Sequence, residues 1–174
     1  MSSANLNEAI LNHANLSAAN LSSADLSESE MVGANLSAAN LSGANLSEAV
    51  LNQSNLQGAN FNDANLQEAE MVGCSAEGAN FNNANLQEAS LNHANLQGAS
   101  FNDANLEEVD MVGANAMGAQ FGNANLQEAS LQQSNMQGAS FNDANLEEVD
   151  MTGIQAQGAN FHSANLEEDR MSQA

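Results

Sequence analysis

The sequence has no proline, tryptophan or tyrosine, and it has only six phenylalanines. A core of large aromatic side chains is therefore excluded, and alanine and leucine must supply the interior. There is no run of 18 apolar residues and no basic segment followed by an apolar one, which predicts a soluble, unexported, cytoplasmic chain. No linker rich in proline or charge divides it, so residues 1–174 are expected to form a single domain.

Cysteine and positive charge are also nearly absent. Cys74 is the only cysteine, so an internal disulfide is excluded and a packing role is expected. Twenty-two acidic residues stand against Arg170 alone, which gives a formal net charge of -21. Such a chain lacks the basic footprint that binds nucleic acid directly, and anionic membrane surfaces repel it. The charge therefore predicts a protein partner with a basic surface.

What the sequence does have is a strict period of five. Leu, Met or Phe occupies every fifth position from Leu6 to Met171, with three alanines as the exceptions. Two positions before each of these there is usually Ala, and the residue between them is usually Asn. Five steps of 100° would spread the leucines around an α-helix, and in a straight strand every second Ala would point outward. The chain must therefore turn a corner once in every five residues.

The phenylalanines indicate how many corners close one coil. They recur every 20 residues and nowhere else, which predicts four-sided coils with one interior phenylalanine column. Its members are Phe61, Phe81, Phe101, Phe121, Phe141 and Phe161. A leucine column from Leu66 to Leu166 is expected beside it, and a column from Met71 to Met171 opposite it. The segment QGASFNDANLEEVDM, at 97–111 and again at 137–151, is then part of a two-coil unit copied in tandem.

Two kinds of small residue have expected roles in this frame. The three alanines precede a phenylalanine in alternate coils, and we expect them to relieve crowding, because overpacking costs about 1 to 3 kcal/mol. These alanines are Ala76, Ala116 and Ala156. Asparagine recurs every 20 residues from Asn45 to Asn165, which predicts hydrogen-bonded side-chain ladders or turn contacts.

With these repeats, the sequence resembles the pentapeptide-repeat family, whose motif A(D/N)LXX it matches over about residues 4–171. The resemblance implies an all-β fold, the right-handed quadrilateral parallel β-helix, with about 8.5 coils of 20 residues. At ~4.8 Å per coil the rod would be about 40 Å long. The repeat decays in LEEDRMSQA, where Asp169 takes an inward alanine position. This position indicates a stop signal, and the same helix end is a candidate homodimer contact.

No motif supports catalysis, metal binding or a cofactor. His13 and His93 share a position in the 20-residue frame but lie four coils, roughly 19 Å, apart, and His162 lies elsewhere. Zinc, phosphate-loop and nucleophile-elbow motifs do not occur in the sequence. We therefore expect a protein that is not an enzyme, without catalytic residues, a metal or a cofactor.

The acidic residues form the one candidate binding surface. A glutamate recurs every 20 residues, which predicts a ladder along one outer edge of the rod, and we call this ladder the acidic ridge. Its members are Glu8, Glu28, Glu48, Glu68, Glu88, Glu108, Glu128, Glu148 and Glu168. Unit charges roughly 4.8 Å apart repel by about 0.9 kcal/mol even in water. Eight further acids flank the ridge, so that 17 of the 22 acids occupy four adjacent positions of the 20-residue coil.

Three interpretations of the ridge are open. The first is a solvated face that keeps rods apart, on a non-enzymatic interaction or scaffold protein. The second is mimicry of DNA, because 22 charges over about 40 Å approach the one charge per ~1.7 Å of a duplex. The third is diffuse binding of divalent cations by the row of carboxylates. A specific cation site is not expected, because it needs six or more oxygens around one point and a straight row does not provide them.

The family resemblance makes the second interpretation concrete. It implies that the rod binds a type II topoisomerase such as DNA gyrase and modulates it or protects it from fluoroquinolones. Two features depart from that expectation. The charge forms one stripe rather than two strands, and the loops that interrupt the repeat in several gyrase-protecting members are absent.

Overall fold

Every coil consists of four five-residue units that repeat one backbone conformation. The computed structural model describes residues 1–168 and Arg170. This part of the chain contains no helix and no continuous strand. Single parallel bridges instead join every fifth residue, from Asn5 to Asp150, to the residue 20 positions later. A coil therefore closes after four corners, as the phenylalanine spacing predicts.

Each corner is a tight turn with one residue in the left-handed backbone region. In the first unit the N–H of Ala4 donates to the carbonyl of Met1 at 3.1 Å, and Ser3 has a φ of 54°. The corresponding residue of every described unit has a φ between 54° and 73°. A positive φ at the third of four residues, and not at the second, is typical of a type II turn. This residue resets the inward and outward alternation, so that Ala and Leu of each new unit again face the interior.

Backbone hydrogen bonds account for four of the five N–H groups in a unit. The N–H groups of Phe61 and Asp63 donate to carbonyls of the following coil at 2.7 and 3.0 Å. That of Asn65 donates to the preceding coil at 2.9 Å, and the turn bond uses a fourth. The remaining N–H, on Asn62, donates to the side-chain Oδ1 of Asn60 at 3.1 Å. Asparagine therefore satisfies the one N–H that the backbone leaves over, which explains its recurrence.

Asparagine side chains also bond to one another along one side of the rod. Each Nδ2 donates to the oxygen of the residue 20 positions earlier at 2.9 to 3.3 Å, and we call this series the amide ladder. Its members are Asp25, Asn45, Asn65, Asn85, Asn105, Asn125, Asn145 and Asn165. Both contacts predicted for asparagine, the ladder and the turn contact, are confirmed. Asp25 is the first member of the ladder. Its side chain accepts a hydrogen bond from Asn45 and donates none within the ladder, so a carboxylate can stand where the later members need an amide.

The interior holds four columns of apolar side chains. Consecutive phenylalanine rings from Phe61 to Phe161 lie 4.8 to 5.0 Å apart and within 4° of parallel. One buried cluster extends from Leu21 to Ile154. Ala76, like Ala116, is fully buried, and the role of these alanines in relieving crowding stays a prediction.

The first coil is less well covered than the interior coils. Leu6, Leu11 and Leu16 are only partly buried, and Ile10 is 75% exposed. The stop signal expected at Asp169 and the last member of the methionine column, Met171, lie outside the described residues.

Deletion of one whole two-coil unit should leave every column in register. Removal of residues 112–151 deletes the second copy of the duplicated segment and places Thr152 directly after Met111, the equivalent of Met151. We expect a shorter folded rod, because each coil contacts only its neighbours. Urea unfolding should remain cooperative, with a smaller m value than that of the full chain, because less surface becomes exposed.

Deletion of residues 112–141 is the matched control. It keeps the five-residue period but rotates the later coils by half a turn, so that Phe161 leaves the phenylalanine column. We expect this control to be less stable than the 112–151 deletion, although it retains ten more residues. Equal or greater stability would show that the columns do not matter.

Candidate functional site

The acidic ridge occupies one corner of the rod. All nine of its side chains are exposed, and each residue is the second turn residue of its unit. Successive members are one coil apart, and the coil spacing seen in the phenylalanine rings is 4.8 to 5.0 Å. The ridge is therefore a straight row of carboxylates along the described length of the rod.

Every ridge glutamate has a left-handed backbone, with φ between 55° and 59°. This conformation costs an L-residue about 1 to 2 kcal/mol, whereas glycine adopts it freely. On the diagonally opposite corner, glycine fills the same turn position in six consecutive coils, from Gly58 to Gly158. The ridge thus combines two unfavourable terms, backbone strain and charge repulsion. This strain was not predicted from the sequence, although eleven of the twelve glycines share the position of the glutamates in the unit.

The ridge carboxylates make few contacts within the protein. Among residues 1–168 and Arg170, the one side-chain hydrogen bond to the ridge is a long one, from Gln67 Nε2 to Glu68 Oε1 at 3.4 Å. The same residues contain no ion pair to the ridge. The carboxylate oxygens are consequently available to donors from outside the molecule.

Acids on the side next to the ridge behave differently, because amides of the preceding coil donate to them. The four donor–acceptor pairs, at 2.6 to 2.9 Å, are Asn12–Glu30, Asn52–Glu70, Asn92–Asp110 and Gln132–Asp150. In the first pair, the Oδ1 of Asn12 also accepts a hydrogen bond from the N–H of Val32 at 2.8 Å. In other units the corresponding N–H donates to an asparagine two residues earlier, as Asn62 does to Asn60. Glu30 occupies that position here, and Asn12 of the preceding coil accepts the hydrogen bond instead. These four acids therefore contribute to the scaffold, and the freely exposed charge is concentrated on the ridge.

A second, sparser row of acids lies on the neighbouring corner. Asp63, Asp103 and Asp143 are exposed at left-handed turn positions in alternate coils. This corner and the ridge border the same side of the rod, the side that carries the amide ladder. The expectation of a single acidic stripe is therefore wrong, because two rows of unequal density flank one flat polar side.

Two aspartates have a pKa below the ordinary value because local donors stabilise the ionised form. The Oγ of Ser27 donates to Asp25 at 2.6 Å, its N–H donates at 3.2 Å, and both lower the pKa of Asp25. Hydrogen bonds from the side chain and N–H of Thr152 lower the pKa of Asp150 in the same way. Each group therefore stabilises the fold above its unfolded pKa of ~3.9, and this stabilisation is lost as pH falls through the lower folded pKa.

The remaining candidate groups form no catalytic arrangement. The rings of His13 and His93 lie over Gly33 and Gly113, where a Cβ would come within 2.7 and 2.6 Å of Nδ1. Burial raises the pKa of the Cys74 thiol to about 12, so the thiol stays protonated, in keeping with a packing role. In the described part of the chain there is no pocket, and no group of three or more His, Cys, Asp or Glu could hold a metal.

None of the described residues forms a helix of the length and apolarity needed to cross a bilayer.

Comparison with known families identifies the repeat. The family described as pentapeptide repeat region matches residues 1–81 and 44–121. The family described as pentapeptide repeats (8 copies) matches residues 117–153 and 135–173. A search of curated proteins by sequence gave no match.

Solved structures similar to this chain are also pentapeptide repeat proteins. HetL, from the cyanobacterium Nostoc sp. strain PCC 7120 and involved in the regulation of heterocyst differentiation, is 28% identical over 98% of this chain and 90% of its own, with a TM-score of 0.41. A trypsin-treated form of QnrB1, a plasmid-mediated fluoroquinolone resistance protein, is 19% identical over 99% and 88%, with a TM-score of 0.61. A protein of the Arabidopsis thaliana thylakoid lumen is 33% identical over 59% and 68%, with a TM-score of 0.46. The likeness to QnrB1, together with the family matches and the parallel bridges between residues 20 positions apart, confirms the right-handed quadrilateral β-helix as the fold class.

Substitutions at Glu88 should separate the two unfavourable terms of the ridge. Glu88→Gln removes charge alone, whereas Glu88→Gly also removes the left-handed strain. We expect stability to rise from wild type to Gln to Gly, with a Gly–Gln step of about 0.5 to 1 kcal/mol after the entropy of glycine in the unfolded chain is subtracted.

Urea unfolding at low and high salt would measure both steps. The gain from Glu88→Gln should shrink at high salt, because ions screen exposed charges, while the Gly–Gln difference should stay constant. A glycine variant less stable than the glutamine variant would contradict the strain.

The lowered pKa of Asp25 predicts a pH-dependent effect of Asp25→Asn. We expect the difference in unfolding free energy between wild type and Asp25→Asn to favour wild type more at neutral pH than in acid, once the pH has fallen through the lowered folded pKa of Asp25. In a Ser27→Ala background, which lacks the Oγ donor, the pH dependence should weaken. A difference that is constant from neutral pH to acid would contradict the assignment.

Proposed function

Because the chain belongs to the pentapeptide repeat family, we propose that it is a non-enzymatic rod that binds a basic protein surface through the acidic ridge. The observation that carries this proposal is the row of nine exposed carboxylates, with one weak internal contact among the described residues. The carboxylates are hydrogen-bond acceptors that follow one another once per coil. Their charge and arrangement are complementary to a partner surface that presents a line of Lys or Arg side chains.

The backbone of the ridge favours binding over mere solvation. A solubilising charge could occupy any exposed position, including the first turn residue, which does not need a left-handed backbone. The ridge instead holds glutamate at nine successive positions where glycine would be more stable. Fourteen other non-glycine turn residues share this backbone, but among the described residues only the ridge repeats one charged residue in every coil, and this uniformity is what supports recognition.

The ridge also defines how the partner should bind. Opposite charges steer encounter, so association should be fast at low salt and should weaken steeply as salt is added. The positive partner surface should follow a straight line along the rod, because the ridge lies on a single corner.

Capture of partners from native cell extract would test the proposal. Wild type is compared with Glu68→Gln/Glu88→Gln/Glu108→Gln, and the matched control is Asp63→Asn/Asp103→Asn/Asp143→Asn. Both triple variants remove three charges from exposed left-handed positions. We expect the ridge variant to lose a salt-sensitive partner that wild type and the control retain. Equal capture by all three proteins would contradict a role for the ridge.

A second candidate function is mimicry of DNA toward a type II topoisomerase such as DNA gyrase. The observation that favours it is the second acidic row, since two negative rows flanking one polar side are closer to two phosphate strands than one stripe is. QnrB1, a fluoroquinolone resistance protein, shares the fold of this chain, and at 19% identity that likeness concerns the fold alone.

A gyrase supercoiling assay distinguishes this candidate from the first. Under DNA mimicry, micromolar protein should inhibit supercoiling or protect the enzyme from a fluoroquinolone. Both acidic rows should then matter, so each triple variant should lose part of the effect. Absence of inhibition and of protection by wild type would remove this candidate and leave the general proposal standing.

The proposal further places the rod in the cytoplasm, as one domain over residues 1–174, without direct binding to nucleic acid or membranes. A homodimer contact through one helix end is part of the same expectation.

A further inference from the structure

We draw no further inference here: the strongest candidate, the nearly uncharged side of the rod that carries Asn15, Asn35 and Asn55 between the partly exposed Val72 and Met117, is a polar sheet face, and nothing in the structure shows what covers it.

Discussion

The structure depends on one left-handed residue in every five. Without it, the alternation of a strand would turn each second alanine outward, and no continuous interior could form. With it, each unit turns a corner, and the fourth corner brings the backbone alongside the preceding coil. Stacked coils then supply partners for three of the five N–H groups, the carbonyl at the start of the turn accepts from a fourth, and asparagine accepts from the fifth. The frequency of asparagine is therefore a consequence of the turn.

The same constraint links the scaffold to the surface. The left-handed residue points outward at every corner, so its side chain determines the chemistry of that corner. Alanine and then glycine, from Gly58 to Gly158, leave one corner without charge, whereas glutamate makes another a continuous row of charge. Each corner repeats once per coil, so a residue type that recurs every 20 positions forms a long row of identical side chains along the rod. A protein with no pocket in its described part can in this way present an extended surface of uniform charge.

The sequence predicted the coil, the columns and the asparagine contacts because these depend on spacing, and a 20-residue period places Phe61 directly beside Phe81. It did not reveal the left-handed backbone of Glu88, because glutamate rarely occupies that region and only the position of glycine in other units indicates it. The bond between Asn12 and Glu30 was also missed, since an 18-residue separation becomes a contact only after the coil is built. Asp63, finally, was not recognised as part of a second row, because its corner holds an acid only in alternate coils.

Scalar couplings through hydrogen bonds, measured by NMR in isotopically labelled protein, test the stacking of coils most directly. The account predicts a coupling between the amide nitrogen of Asn65 and the carbonyl carbon of Ala44, and another between the amide nitrogen of Phe61 and the carbonyl carbon of Asn80. Equivalent pairs should recur along the rod with the same offsets. Couplings at helical offsets of four residues, or at offsets that vary along the chain, would contradict the four-cornered coil and with it the acidic ridge.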